Sequence, residues 1–423
     1  MIQTWAMIVD AYRELNARKL FWVTLGISVL VVAAQASLGI SEKGVTLLWF
    51  EFPFPIFNST VVEPAAFHKL VFYTFGYSIW LTWAATILAL ISTASIIPDF
   101  VSSGSIELSL SKPVGRARLF LTKYLTGVLF VTLQVAVFSV LSFLVIGIRG
   151  GAWELSLFWS VPIVVVFFSY LYALSALVGL LTRSPITALL ATGIVWILIV
   201  AIHGVETGFL LQSVTANRLG VAAHVTEIET KRGELEAARR AAEEGEASAP
   251  DAAGEVAAAE PKKPAVEGEP EAPAWSGMDA LLDAQEQRKA AVKRIETELA
   301  DLEAKKTLVE EELRTQERYH TIALTIKTIL PKTTETSDLL GRWLLTGDEL
   351  EGVRDRAEQE AANRVRRPRG RPIGAVRVAE RAIERELQAE LRRRTELWVV
   401  GTSLGFEAAV LGVACLIFCR RDF

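Results

Sequence analysis

Cysteine and histidine are scarce in this 423-residue chain, which holds two cysteines and four histidines. Both cysteines, Cys415 and Cys419, lie in the last apolar run, so the chain cannot build a disulfide framework. Ordinary packing is their expected role, because cysteine is among the most buried residue types. The histidines are scattered and no H-E-x-x-H pattern occurs, so the sequence predicts no metal site.

Recognisable catalytic motifs are also missing from the sequence. There is no G-x-x-x-x-G-K-[ST] segment, so the chain does not bind ATP through a P-loop. There is no nucleophile elbow either, and we do not expect the chain to be an enzyme by itself. The net charge of −4 is a small sum over unlike segments and gives no indication of nucleic-acid binding.

Charge is rare over most of the chain and concentrated in one part of it. Residues 1–206 and 397–418 are mainly apolar, whereas residues 207–396 hold most of the charge. Hydrophobic residues still make up 51% of the sequence. We therefore predict an all-α polytopic membrane protein with one large polar insertion.

Six apolar runs are each long enough to cross a bilayer as a helix. They cover residues 20–38, 71–97, 119–146, 155–181, 186–202 and 397–418. Arg13, Arg18 and Lys19 precede the first run, and the positive-inside rule therefore puts the N-terminus in the cytoplasm. Residues 1–19 predict an amphipathic helix in the cytoplasmic interface and no cleavable signal peptide. Residues 39–69, rich in aromatics and prolines, predict a loop packed on the outer interface of the membrane.

The polar insertion, residues 207–328, has apolar side chains at heptad spacing. The seam of its second arm comprises Val292, Ile295, Leu299, Leu302, Val309 and Leu313. The first arm keeps a similar spacing, although Arg232 and Arg239 fall on its seam. Residues from about 245 to 276, between the arms, are rich in Ala, Glu, Pro and Gly and cannot pack a core. Two heptad arms joined by a disordered tip predict an antiparallel coiled-coil hairpin.

Five crossings from a cytoplasmic start, within residues 20–206, put this hairpin outside the cytoplasm. One observation opposes the topology, because Arg392, Arg393 and Arg394 stand just before the last span, on the outer side. The positive-inside rule loses force for long segments, and Arg420 and Arg421 act against these residues from the other end. We therefore expect an outer element with a basic loop and a charged helix at 329–396. The sixth span and a cytoplasmic tail follow at 397–423.

Residues 98–127 read PDFVSSGSIELSLSKPVGRARLFLTKYLTG and separate two apolar runs. Their charges are mostly basic, which predicts a short loop at the cytoplasmic surface of the membrane. Within this loop, GSIELSLSKPVGR resembles the G-[ST]-[IL]-E-L-L-L-[SA]-K-P-[VI]-[SG]-R segment of ABC-2 type permeases, in particular the branch named for multicopper-enzyme maturation. The apolar element ILPKTTETSDLLGRWLL and the terminal FCRRDF are also similar to that family.

The resemblance implies a permease subunit of an ATP-driven exporter in the inner (plasma) membrane, with both termini cytoplasmic. ATP and magnesium would bind to a separate cytoplasmic ABC ATPase subunit, so no cofactor is expected in this chain. The permease would form a homodimer or pair with a second permease subunit, and the hairpin would meet an envelope protein or its dimer mate. The residues implied in coupling to the ATPase are Asp99, Gly104, Ile106, Glu107, Leu108, Leu110, Lys112, Pro113 and Arg116. Leu108 and Leu110 would pack on the ATPase. Glu107, Lys112 and Arg116 would pair with its charges.

Glu407 lies inside the last apolar run, where an ionisable group faces protein or water and is a functional candidate. His203 and Glu206, near the end of the fifth run, are expected to share its surroundings. These three residues are the candidates for lining a translocation path. The alternative is a structural hydrogen bond from Glu407 to Gln35, Gln134 or the outer element.

Two other functions stay open at the level of sequence. In the first, the chain is a scaffold whose six spans only anchor the coiled coil at the envelope. In the second, it is an ion-coupled transporter, which would need inverted repeats and several intramembrane charges. Glu407 is the one such charge that the sequence places well inside a span.

Overall fold

The computed structural model describes residues 19–53, 58–102, 115–215, 221–258, 276–344 and 394–421, with isolated positions at 356, 387 and 389. Helices dominate these residues. They are α1 Lys19–Ser37, α2 Pro64–Val101, α3 Arg116–Gly150, α4 Leu155–Thr182, α5 Pro185–Thr215, α6 Ala222–Ala258, α7 Ser276–Ile329, α8 Thr333–Leu344 and α9 Glu396–Arg420. Four segments of these helices are not α-helical: Phe72–Ala85 and Ile146–Gly150 are π-helical, Leu155–Trp159 is a 3₁₀ turn, and residues 94–95 form a turn within α2.

Six of the helices, α1 to α5 and α9, are long and apolar enough to cross a membrane. Each coincides with one of the six apolar runs in the sequence. The prediction of a largely helical membrane protein with six spanning segments is therefore confirmed. The predicted interfacial helix (1–19), the basic loop and most of the charged helix before α9 lie outside the described residues.

The segment between α1 and α2 differs from the loop that the sequence predicts. Strands β1 Leu38–Ile40, β2 Gly44–Leu47 and β3 Phe50–Pro53 form an antiparallel sheet in the order β1-β2-β3. Leu48 adopts a φ of 55° in the two-residue turn between β2 and β3, as tight hairpins require. The sequence did not predict this sheet, because strands of three or four residues are too short to give a clear alternating pattern.

Helix α4 lies at the centre of the bundle and packs against α3, α8 and α9. In its most apolar window 72% of the residues are buried, compared with 22% in α5. The exposed side of α5 carries Ile186, Leu190, Ile194 and Ile197. A membrane-spanning helix can expose such a stripe because lipid tails are as apolar as leucine.

A glycine permits a close approach between α3 and α4. A Cβ atom at Gly127 would lie 2.4 Å from the ring of Tyr172. That ring is itself held in a stack, with centroids 5.0 Å from Tyr124 and 5.4 Å from Phe168. Small residues at helix interfaces let backbones approach closely in membranes, and Gly127 has this role here.

The chain divides into two compact units. The membrane unit comprises Met1–Glu206, Ala323–Arg371 and Arg392–Phe423, and the polar unit comprises Thr207–Ile322 and Pro372–Leu391. The two sites described below lie in the membrane unit.

In the polar unit, ion pairs join α6 to α7. Arg232 pairs with Glu303 at 2.8 Å, and Arg239 pairs with Glu296 at 2.7 Å. The partner numbers fall on α7 as they rise on α6, which is the order of antiparallel neighbours. All six predicted seam residues of α7, Val292, Ile295, Leu299, Leu302, Val309 and Leu313, are half-buried.

Helix α6 continues to Ala258, beyond residue 245, where the sequence predicts a flexible tip to begin. Alanine and glutamate are strong helix formers, and the composition that argues against a packed core does not argue against a single helix. The remainder of the predicted tip, 259–275, lies outside the described residues.

We expect Gly127→Ala to lower the melting temperature of the detergent-solubilised protein. The added methyl group must displace a stacked tyrosine or separate α3 from α4, and overpacking of this kind costs about 1–3 kcal/mol. The matched control is Gly193→Ala in α5, where no atom lies within 4 Å of the new Cβ. Because alanine is the better helix former, the control should melt at or above the wild-type temperature. Equal melting temperatures for the two variants would show that the α3–α4 contact is not tight.

Candidate functional site

Charged side chains from four segments meet at one end of the spanning bundle. His203 and Glu206 come from α5, Lys327 from the end of α7, Glu335 from α8, and Arg394 from the residues just before α9. We call these five residues the charge cluster. Glu206 is fully buried, and the side chains of Lys327 and Glu335 are each 5% exposed.

The ammonium group of Lys327 lies at the centre of the charge cluster. Its Nζ is 2.7 Å from Glu206 Oε2 and 2.7 Å from His203 Nδ1, and it also contacts Glu335 Oε1. An ammonium group has three N–H donors, and these three acceptors match them. These contacts therefore replace the hydrogen bonds to water that the ammonium loses on burial.

Arg394 bridges the same two carboxylates from the other side. Its Nη1 donates to Glu335 Oε1 at 2.9 Å, and its Nη2 donates to Glu206 Oε1. Two cations thus face two carboxylates, and the cluster has no net charge when His203 is neutral. Charge balance and hydrogen bonding of this kind favour a buried group of ion pairs, although Glu335 Oε2 is buried without a hydrogen-bond partner among the described residues.

The tautomer of His203 follows from its neighbour. Its Nδ1 faces the ammonium of Lys327 at 2.7 Å, so this nitrogen must accept a hydrogen bond. The single ring proton is then on Nε2, and the imidazole is neutral. A second proton would place an N–H group against the ammonium and disrupt the contact.

The geometry of the charge cluster also resembles a cation site. Donor atoms of His203, Glu206 and Glu335 lie within 4.8 Å of one another, a spacing that could hold a metal ion. The ammonium of Lys327 already contacts one such atom from each residue, so a tethered cation takes the position of the metal. The arrangement favours a clamp that holds α5, α7, α8 and the start of α9 together.

A second lysine fastens the turn between α7 and α8 to α9. The backbone N–H of Lys332 donates to Ser403 Oγ at 2.9 Å, and Lys332 Nζ donates to Thr402 Oγ1 at 2.6 Å. The ammonium also lies 4.2 Å from the ring centroid of Trp398. Burial lowers the pKa of Lys332 to about 8.

Glu407 has different partners from those that the sequence suggested. Its Oε1 is 2.8 Å from Tyr124 Oη, and its Oε2 is 2.8 Å from Ser169 Oγ. Its hydrogen bonds join α9 to α3 and α4, and among the described residues they involve neither Gln35 nor Gln134. The expectation that His203 and Glu206 share its surroundings was therefore wrong at the level of direct contacts.

The predicted ATPase-coupling residues lie mostly in a segment that the structure does not describe. Gly104, Ile106, Glu107, Leu108, Leu110, Lys112 and Pro113 fall within 103–114. Asp99 is in the last helical turns of α2, where its backbone N–H donates to Ser95 O.

Arg116 begins α3 and has partners within the chain. Its Nη1 donates to the carbonyl oxygens of Cys419 and Arg421 at 3.1 and 3.0 Å. Arg421 in turn donates to Leu180 O at 2.7 Å. These bonds tie the start of α3 to the ends of α9 and α4, whereas the sequence suggested a pairing of Arg116 with an ATPase.

Three members of the charge cluster were not identified from the sequence. Lys327 is a single charge in the apolar or uncharged run ALTIKTILP, and that isolation was the available signal for it. Glu335 stands between Lys332 and Asp338 and gave no such signal. Arg394 did stand out, as one of three arginines that oppose the expected topology. The structure accounts for it, because Glu206 and Glu335 neutralise it.

We expect Glu206→Gln to destabilise the protein strongly, since it leaves two cations facing one carboxylate. Breaking a buried ion pair in this way costs about 3–5 kcal/mol. The double variant Glu206→Gln/Arg394→Gln restores charge balance and should recover part of the loss. Thermal melting of the purified protein measures both effects.

The exposed pair Lys43–Glu51 provides the control, with side chains 79% and 48% exposed. Lys43→Met should change stability by less than about 1 kcal/mol. If Glu206→Gln melts like Lys43→Met, the charge cluster is not a structural clamp.

A scan against protein-family models, a search of curated proteins and a search of solved structures found no match to this chain. The likeness to ABC-2 type permeases therefore rests on the sequence segments quoted above. What the structure itself establishes is a membrane-embedded helical protein with a buried charge cluster and a buried carboxyl group at Glu407.

Proposed function

We propose that the chain is the permease subunit of an ATP-driven transporter of the ABC-2 type, with ATP hydrolysed on a separate cytoplasmic subunit. The main support is the loop segment GSIELSLSKPVGR together with the residue that ends it, Arg116. That residue is bonded to the last carbonyls of α9. Arg116, the last residue of the loop segment, is thus hydrogen-bonded to the end of α9.

These contacts suggest how movement of an ATPase would enter the bundle. A push on the loop at 103–114 would act on the start of α3. Arg116 would pass the displacement to the end of α9, and Arg421 would pass it to the end of α4. The same three helices meet again at Glu407, so a movement at their ends would be felt inside the bundle.

The topology of the proposal places both termini in the cytoplasm and the polar unit outside it. An even number of spans brings the two ends of the chain to one side. The antiparallel ion pairs between α6 and α7 and the half-buried seam of α7 support a coiled-coil hairpin. We propose that the protein lies in the inner membrane, where it pairs with a second copy of itself or with a second permease. An envelope protein would bind to the hairpin.

We expect the tagged protein to co-purify with an ATP-hydrolysing subunit from native membranes. Glu107→Lys and Leu108→Glu should reduce the co-purified ATP hydrolysis at least tenfold, because they alter the charge and the apolar side of the coupling loop. The matched control is Lys43→Glu, a charge reversal in an exposed turn of the small sheet. All three variants should melt like the wild type. A wild-type preparation without ATP hydrolysis would favour the scaffold function, and full hydrolysis with both loop variants would rule out coupling through this loop.

The side of the hairpin can be tested by labelling. We expect Ser248→Cys, in a background of Cys415→Ser and Cys419→Ser, to react with a membrane-impermeant maleimide once the outer barrier of intact cells is permeabilised. A cysteine at Arg183, in the short turn between α4 and α5, is the cytoplasmic control and should react only in broken cells. Labelling of position 248 only after the inner membrane is broken would reverse the proposed topology.

A further inference from the structure

Glu407 is a carboxyl group inside the spanning bundle that lacks a cationic partner. It is 9% exposed. Its hydrogen bonds are to Tyr124 and Ser169. Among the residues that the structure describes, no lysine, arginine or histidine forms an ion pair with it. An ionised carboxylate in such a place would be an uncompensated buried charge, which is costly in a bilayer-embedded bundle.

If Glu407 is ionised, the groups around its carboxyl offer fewer O–H donors than there are close oxygen–oxygen contacts. Tyr124 Oη lies 2.8 Å from Glu407 Oε1 and 3.0 Å from the carbonyl oxygen of Ser169. Ser169 Oγ lies 2.8 Å from Glu407 Oε2 and 2.8 Å from the carbonyl oxygen of Val166. A carboxylate and two carbonyls only accept, so the two hydroxyl groups supply two hydrogens for four close contacts.

One added proton resolves most of this deficit. A protonated Glu407 donates from Oε1 to Tyr124 Oη, and the tyrosine hydrogen is then available for the carbonyl of Ser169. The Ser169 hydroxyl still donates either to Glu407 Oε2 or to the carbonyl of Val166. Three of the four oxygen–oxygen contacts are then hydrogen bonds, and Glu407 carries no charge.

We propose that Glu407, Tyr124 and Ser169 form a proton-binding site at the junction of α3, α4 and α9. The ligand is a proton, because each carboxyl oxygen lies 2.8 Å from a hydroxyl oxygen, which is the length of an O–H···O hydrogen bond. This inference does not depend on the permease assignment.

The groups facing the site from each helix are consistent with a proton as the ligand. Helix α3 contributes Tyr124. Helix α4 contributes Tyr170 and Tyr172, and the latter ring stacks on Tyr124 at 5.0 Å. These are neutral phenols at physiological pH. Neither helix presents a charge there that could replace the proton.

Release of the proton would require the site to rearrange. The ionised Glu407 would leave two close oxygen contacts without hydrogens and would carry a charge that only water or a cation could stabilise. Helix α9 would have to shift relative to α3 and α4, or water would have to enter between them. Occupancy by a proton is therefore linked to the packing of these three helices.

Infrared spectroscopy of the full-length protein, labelled with ¹³C-glutamate and reconstituted in lipid nanodiscs, tests the proposal. At neutral pH the wild type should show the carbonyl stretch of a protonated glutamic acid. In Glu407→Gln the intensity of this band should fall by the amount that one carboxyl group per chain contributes. The control Glu51→Gln, at an exposed position, should leave the band unchanged.

The glutamine variant is also expected to fold. Its amide can donate to Tyr124 and accept from Ser169, so it imitates the protonated acid and should melt at the wild-type temperature. The wild-type spectrum decides the question even if this variant fails to fold. Absence of any glutamic acid band in the labelled wild type at neutral pH would overturn the proposal. So would a band that persists in folded Glu407→Gln.

Discussion

The interior of a bilayer supplies no water to a polar group, so every polar side chain buried in the bundle must find its partner within the protein. The charge cluster shows this constraint most clearly. Lys327 finds acceptors on three residues from two other helices, and Arg394 bridges the same two carboxylates. Segments from three distant parts of the sequence are fixed together because none of their charges could remain there alone.

Helix α9 is held by apolar packing against α4 and by several polar contacts. Only 22% of its most apolar window is buried, compared with 72% in α4. Along its length it meets the charge cluster at Arg394, the α7–α8 turn at Ser403, the buried pair Tyr124 and Ser169 at Glu407, and Arg116 at its end. These polar attachments act together with the packing of α9 against α3 and α4 to fix its position.

These attachments also connect the proposed activity with the proposed proton site. Arg116 holds the end of α9 next to the loop that would contact an ATPase, and Glu407 lies further along the same helix. A movement that enters through the loop would reach the hydroxyl groups around Glu407. Proton occupancy there and the position of the loop would then influence each other through one helix.

Comparison of the predictions with the structure shows which signals in the sequence are local. Each predicted span overlaps one of the six observed apolar helices, because a spanning helix must be apolar over a length set by the bilayer, although α5 continues to Thr215, beyond its predicted end at 202. The small sheet was missed, since its strands are only three or four residues long. Helix α6 extends further than predicted, since its alanines and glutamates favour a helix without needing a core.

The candidate sites divide in the same way. The sequence by itself singled out Glu407 inside an apolar run, and His203 and Glu206 just after one, because an ionisable residue buried in the membrane is costly wherever the chain folds. Only the tertiary structure decided their partners. Glu206 meets Lys327 and Arg394, which follow it by 121 and 188 residues, and Glu407 meets Tyr124 from 283 residues earlier. Such pairings depend on how the helices pack against one another, and a charge in the sequence carries no information about which helix will face it.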